Sequence, residues 1–274
     1  MFFRVGSLLL FLGVFLVSCS SGQKRTEKSG QGVWQMELLD SLVLDHLGEV
    51  YLQDISPDGS TFLGYDQSSK TFLVFSSNGE LINSLDLKGE GPGRYGEYHT
   101  GKPLFLDNES FLLMSNKGQF LYDLQGRLIQ HFRPDFQPAY RFTVPFSKNS
   151  VKVGSNEVVS VFQGRYNDLG FTLEHQVKSR QLESLDLISG EFSPVVPFPA
   201  ESRFSSNSRL FHDVYIRPIL SSADSTLYVA FTNEPKIYAY KESLLDTPIS
   251  VQTLPLEVFY EAEGGRAGIR RRSV

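Results

Sequence analysis

The chain has 274 residues, enough for one large all-β domain or two ordinary ones. With 41% hydrophobic and 21% charged residues it is built to bury a core. A formal net charge of −5 excludes a nucleic-acid binder, which needs clustered Lys and Arg against phosphate. Phe and Tyr number 22 and 12 against one Trp and three Met, a usage that favours pleated strands. There is one cysteine, so no internal disulfide can form and the core must carry stability.

The N-terminus reads as an export signal. Arg4 supplies a short positive region, and Leu8 to Val17 is a ten-residue apolar stretch, half of what a spanning helix needs. It closes with Leu16-Val17-Ser18-Cys19, which resembles the lipobox of bacterial lipoproteins. In that motif the Cys thiol receives diacylglycerol and the peptide is cut just before it. The sole cysteine sits where a thiolate nucleophile is needed. The expectation is a signal peptide over 1–18, lipidation at Cys19, and a flexible tether over 19–32 rich in Ser, Gly, Gln and Lys. Two or three acyl chains would anchor the protein stably to a membrane of the cell envelope, the outer membrane or the periplasmic face. No Asp or Glu precedes Glu27, so no acidic surface-export signal follows the Cys.

From about Val33 short β segments alternate with turn signals. An N-terminal strand is expected over Met36 to Leu44. Phe62-Leu63-Gly64-Tyr65, Thr71 to Phe75, the turn Ser77 to Glu80 and Leu81-Ile82 then form a unit that recurs. Its second copy is Phe111 to Met114, Gln119 to Tyr122, the turn Leu124 to Arg127 and Leu128-Ile129. The offset from Phe62 to Phe111 is 49, and from Gly79 to Gly126 it is 47. A third copy runs from Val158 to Val161 and resumes at Gln181 to Leu187, its turn at Ser189-Gly190-Glu191. Gly190 lies 64 residues after Gly126, so this copy carries an insertion. A fourth is Leu227 to Phe231 with Lys236 to Tyr240. Asn78-Gly79 is expected to supply the positive φ angles of a tight hairpin turn. Four-stranded units of this period cannot bury both faces alone, and radial stacking solves that, as in propeller blades. A sandwich or barrel is the competing architecture.

The segment Asp86-Leu87-Lys88-Gly89-Glu90-Gly91-Pro92-Gly93-Arg94-Tyr95-Gly96-Glu97 resembles the Gly-x-Gly-Pro-Gly linker between blades of bacterial six-bladed β-propeller lipoproteins. With the hairpin before it and the lipobox, the chain resembles the lipoproteins of domain-of-unknown-function family 4221. The resemblance spans roughly Val33 to Tyr260 and is specific mainly over Asp54 to Phe132. It implies an all-β propeller of four-stranded antiparallel blades in the envelope, and carries over no catalytic residue. Six blades of about 48 residues need close to 290, so the propeller domain, 33–260, is expected to be an incomplete six-bladed ring. An irregular tail, 261–274, follows it.

Candidate chemistry is sparse. Gly89 to Gly93 reads as a linker and not as a phosphate cradle, since no helix pattern follows it and Pro92 lacks an N–H. The five His, at 46, 99, 131, 175 and 212, show no paired metal spacing, so neither metal nor cofactor is expected. Glu97-Tyr98-His99 reads as exposed loop polarity. In Phe211 to Arg217 strict alternation sets Asp213, Tyr215 and Arg217 on one face of a strand. Inner propeller strands turn polar side chains to the channel, so Tyr140, Arg141, Tyr215 and Arg217 are the expected ligand-binding rim. The leading expectation is a lipid-anchored binding or interaction module, without catalysis, for a protein or glycan ligand. Two alternatives remain: an envelope hydrolase or lyase acting on glycans or peptides through its channel, and a truncated gene fragment.

Overall fold

The computed structural model describes residues 37–38, 41–138, 148–170, 172–205, 209–212, 217–256 and 265–266. The chain divides into two units, Met1–Ser41 and Leu42–Val274. In the first, the described residues Glu37, Leu38 and Ser41 have no regular structure. Everything below concerns the second.

Four antiparallel four-stranded sheets follow one another around an axis as the blades of a β-propeller. Blade 1 is β1 (Val50–Ile55), β2 (Thr61–Asp66), β3 (Thr71–Ser76) and β4 (Leu81–Leu85). Blade 2 is β5 (Leu104–Phe105), β6 (Ser110–Ser115), β7 (Gly118–Asp123) and β8 (Leu128–Phe132). Blade 3 is β9 (Ser150–Val153), β10 (Glu157–Ser160), β11 (Arg180–Asp186) and β12 (Phe192–Pro197). A short β13 (Arg209–Leu210) pairs with β18 (Gly265–Arg266). Blade 4 is β14 (Pro218–Ala223), β15 (Thr226–Phe231), β16 (Lys236–Lys241) and β17 (Ser250–Thr253). The first strands, β1, β5, β9 and β14, adjoin in succession and form the inner side.

All four repeats read from the sequence are hairpins of these blades, because their apolar residues alternate with period two about fixed turns. The turns differ from the expectation in one respect. Gly79 has φ +83°, but Asn78 is not at positive φ. Ser76 O accepts Gly79 N, and Ser76 N donates to Glu80 O, so one left-handed residue closes the loop and shifts the β3–β4 register. Gly126 (φ +77°) and Gly190 (φ +76°) close the matching turns of blades 2 and 3. The residue that ends each third strand braces its turn: Ser76 Oγ, Asp123 Oδ1 and Asp186 Oδ1 each accept two backbone N–H groups. The two-residue turn with both positions at positive φ is Asp224-Ser225 (+48° and +60°), between β14 and β15.

Three apolar seams hold the blades together. Leu63, Tyr65, Phe72 and Val74 of blade 1 pack on Phe105, Phe111, Leu113, Phe120 and Tyr122 of blade 2. Leu104, Leu112 and Phe132 of blade 2 meet Val158 and Leu185 of blade 3. Val151, Val159 and Leu182 of blade 3 meet Leu227, Val229, Phe231, Tyr238 and Tyr240 of blade 4. Each such side chain, once fully buried, contributes about 1.5–3 kcal/mol. All six residues of β6 are buried, as a blade flanked on both faces requires.

The expected strand over Met36 to Leu44 does not form where it is described, and residues 42–49 run as a strap without strand structure. Asp45 N donates to Gly79 O at 2.8 Å, and His46 Nε2 lies 3.2 Å from Asp66 Oδ2, so the strap lies against blade 1. Four blades are present among the described residues, against the six that the resemblance implies.

Candidate functional site

At one end of the blades the second-to-third-strand turns meet the linkers that join one blade to the next. The Gly-rich linker after β4 folds upon itself there. Gly89 N and Gly96 N donate to each other's carbonyls, and all five of its glycines take positive φ, which side chains would resist. The linker buries Tyr95, and Tyr122 Oη donates to Gly93 O at 3.1 Å. The amides of Gly89, Arg94, Tyr95 and Gly96 are thereby spent on structure.

Past that loop the linker delivers His99 and Thr100. His99 bridges to Ser115 on β6, and Thr100 N donates to Met114 O. The His99 ring is not exposed loop polarity. It sits among Tyr65, Phe72 and Tyr95, with ring centroids 5.0, 5.2 and 5.8 Å away, and burial pushes its pKa down to about 4. Glu97 turns instead to Lys88, at 3.2 Å.

A small cavity of ≈ 10 Å³ opens beside Thr100, lined by Ser115, Asn116, Pro138, Val161, Phe162 and Gln163. Its size suits one water-sized group. Thr100 Oγ1 and Asn116 Oδ1 in its wall, Gln119 Oε1 on the adjoining strand and His99 Nε2 are buried without a hydrogen-bond partner. Each buried polar atom left unpaired costs about 1–3 kcal/mol, so four in neighbouring positions point to partners arriving from outside the chain.

The same seam carries a buried polar chain. Gln119 Nε2 donates to Ser160 Oγ at 3.0 Å. Directly opposite Ser160 in the β10–β11 register stands Glu183, 3% exposed, in a bidentate pair with Arg165. Arg165 also reaches Asp135 at 2.9 Å and lies 4.6 Å over the Phe136 ring. Burial raises the Glu183 pKa, and Arg165 opposes that rise. Arg165 lies in the connection between β10 and β11, where the third repeat carries its expected insertion; the same connection holds the one-turn helix α1 (Leu173–Lys178), capped by Thr172.

Of the expected rim, Tyr140, Arg141 and Tyr215 lie outside the described residues, as does Cys19. Arg217 precedes β14, and its backbone is tied to Thr232 by bonds of 3.0 and 3.1 Å. The residues of Phe211 to Arg217 that are described, 211, 212 and 217, are not in a strand. Among the described residues no three His, Cys, Asp or Glu side chains gather as a metal site would require. The described His–carboxylate pair is His46–Asp66, but Asp66 Oδ1 accepts from Ser68 Oγ. The carboxylate then lies between Ser and His, an order that cannot pass a serine proton to an imidazole.

No protein-family model and no curated protein matches the chain. Among solved structures, a member of family DUF4221 from Bacteroides vulgatus superposes with a TM-score of 0.51 at 12% identity, over 83% of this chain and 63% of that one. A Bacteroides fragilis protein gives 0.44 at 13% identity, over 78% and 54%. The β-propeller domain of Swd1 from Myceliophthora thermophila gives 0.46 at 9%, over 76% and 56%. The chain spans less than two thirds of the length of each. At these identities the likeness is one of fold, and the fold implied by the Gly-Pro-Gly linker and its hairpins is that of a solved DUF4221 protein.

Proposed function

We infer that this protein is an envelope binding module, tethered to a membrane through acylated Cys19, that takes a hydrogen-bond-donating group of a glycan or peptide at the junction of blades 2 and 3. One observation carries the reading: Thr100 Oγ1 and Asn116 Oδ1 are buried and unpaired in the wall of a cavity the size of one hydroxyl or amine, with Gln119 Oε1 unpaired on the adjoining strand. Such atoms gain most from a donor brought in by a ligand, and Pro138, Val161 and Phe162 supply an apolar wall beside them. Among the described residues no helix is long and apolar enough to cross a membrane; the anchor in this reading is the lipid that the lipobox would place on Cys19.

Thermal shift of the full chain against a panel of amino sugars, neutral oligosaccharides and short peptides tests the site. A member that raises Tm in the wild type and not in Thr100→Val is the expected result. Silence across the panel, or an equal shift in the variant, would sink the reading. Labelling with radioactive palmitate, lost in Cys19→Ser, tests the anchor separately.

A further inference from the structure

The junction of blades 1 and 2 carries a second concavity, of ≈ 440 Å³, between the Gly-rich linker and the last hairpin of blade 2. Asp86, Leu87, Pro92 and Arg94 line it from the linker, and Arg127 and Leu128 from the hairpin. Both walls belong to adjoining blades, so the cleft is a junction between sheets and not an end of the stack. Its volume is that of a site for an organic guest, well above that of a lone inorganic anion.

The two arginines are positioned before any guest arrives. Arg127 Nε donates to Asp123 Oδ2 at 2.6 Å, and Oδ1 of the same carboxylate fixes the turn by accepting Gln125 N and Arg127 N. Arg94 Nη1 donates to the carbonyls of Asp86 and Lys88 and lies 3.2 Å from Asp86 Oδ2. A guanidinium carries five donors in a planar fork. Among the described residues the bonds of Arg94 all leave from Nη1, and those of Arg127 from Nε and, at 3.5 Å to Gln125 Oε1, from Nη2. Each group therefore keeps donors for a second partner. Such preorganisation lowers the entropy lost on binding.

The chemistry of the lining narrows the guest. The chain as a whole has a net charge of −5, yet the charged residues of this cleft are two guanidinium groups against one carboxylate. A planar fork of donors matches a carboxylate. Leu87, Pro92 and Leu128 offer apolar surface beside the charges, and Leu128 is 37% exposed. No residue lining the cleft is aromatic, so a sugar ring finds no aromatic face to stack on. We propose that this cleft binds an acidic peptide, its carboxylates paired with Arg94 and Arg127 and an intervening apolar side chain laid against Pro92 and Leu128. The site is separate from the cavity beside Thr100 and opposite in chemistry: there orphaned acceptors await a donor, and here donors await an acceptor.

Fluorescence anisotropy of the full chain in detergent, with fluorescein-labelled Leu-Asp-Leu-Glu-Leu as the probe, is the test. The acidic peptide should bind, and its counterpart Leu-Asn-Leu-Gln-Leu should bind about tenfold more weakly or worse. Arg94→Gln and Arg127→Glu should each weaken the acidic peptide by about tenfold. Lys178→Gln, which removes a positive charge on α1 outside the cleft, should leave the affinity unchanged. Arg94 also pins the linker, so if Arg94→Gln disturbs the circular dichroism spectrum, Arg127→Glu, on an exposed side chain, decides. Four results overturn the proposal: no binding of the acidic peptide, equal affinity for the amide peptide, wild-type affinity in Arg127→Glu, or an equal loss in Lys178→Gln. Stronger competition by polygalacturonate than by unlabelled peptide overturns it as well, since the guest would then be an acidic glycan.

Discussion

Arg165 holds Glu183 with two parallel bonds, Nε to Oε1 at 2.8 Å and Nη2 to Oε2 at 2.9 Å, and so ties the insertion of the third repeat to the interior face of blade 3. Glu183 is almost fully enclosed, while Arg165 is 18% exposed. Removing the guanidinium strands a buried carboxylate. Arg165→Leu should therefore cost about 3–5 kcal/mol, whereas Arg165→Leu with Glu183→Leu should cost far less. Urea unfolding of the two variants checks the difference.

His99 gives the fold an acid sensitivity. Its folded pKa is about 4, against about 6.5 in the unfolded chain. Between those values the unfolded chain holds the extra proton. Stability is complete above 6.5 and falls as the pH drops towards 4, by at most about 1.4 kcal/mol per pH unit. His131, also displaced downward chiefly by burial, adds in the same direction. His99→Phe should flatten the slope of unfolding free energy between pH 6.5 and 4. An unchanged slope would place the sensitivity elsewhere.

Gly79 should resist substitution more than Gly126, though both close the same kind of turn. Both have positive φ, but a Cβ at 79 runs into the Val43 carbonyl, while at 126 it meets the side chains of Leu85 and Leu87. Gly79→Ala should cost more than about 1 kcal/mol. It should also expose the Asp45 amide to hydrogen exchange, which Gly126→Ala should leave protected.

Gln176 organises the linker between blades 3 and 4 from the single turn of α1. Its Nε2 donates to Phe204 O and Arg209 O, and its Oε1 accepts from Phe211 N. Gln176→Leu leaves three backbone groups dry, at about 1–3 kcal/mol each before relaxation. Limited proteolysis should then cut within 204–212 before any blade is digested.

The blades were legible because their signal is local: apolar alternation over five or six residues and a glycine at the last hairpin turn of each of the first three blades. Asn78 misled because Asn-Gly suits two left-handed positions, yet Ser76 braces a longer loop that needs only one. The polar chain Gln119–Ser160–Glu183–Arg165 was not legible, since its members lie 41, 23 and 18 residues apart and converge only when blades 2 and 3 stack. One trace existed: Glu183 lies two residues before Leu185 on the same face of β11, at a position the period assigns to the core. His99 was misjudged for the opposite reason, its loop being polar in composition but folded over three aromatic rings.

The strap over blade 1 decides how the domain would bear a load. A pull on Leu42 reaches the sheet first through the Asp45–Gly79 bond at a hairpin tip and the His46–Asp66 contact. Neither is braced along the strands, so these links would break in sequence while β1 to β4 stayed paired. Tension at that end would free several residues before any blade yields, a mechanical fuse ahead of the propeller.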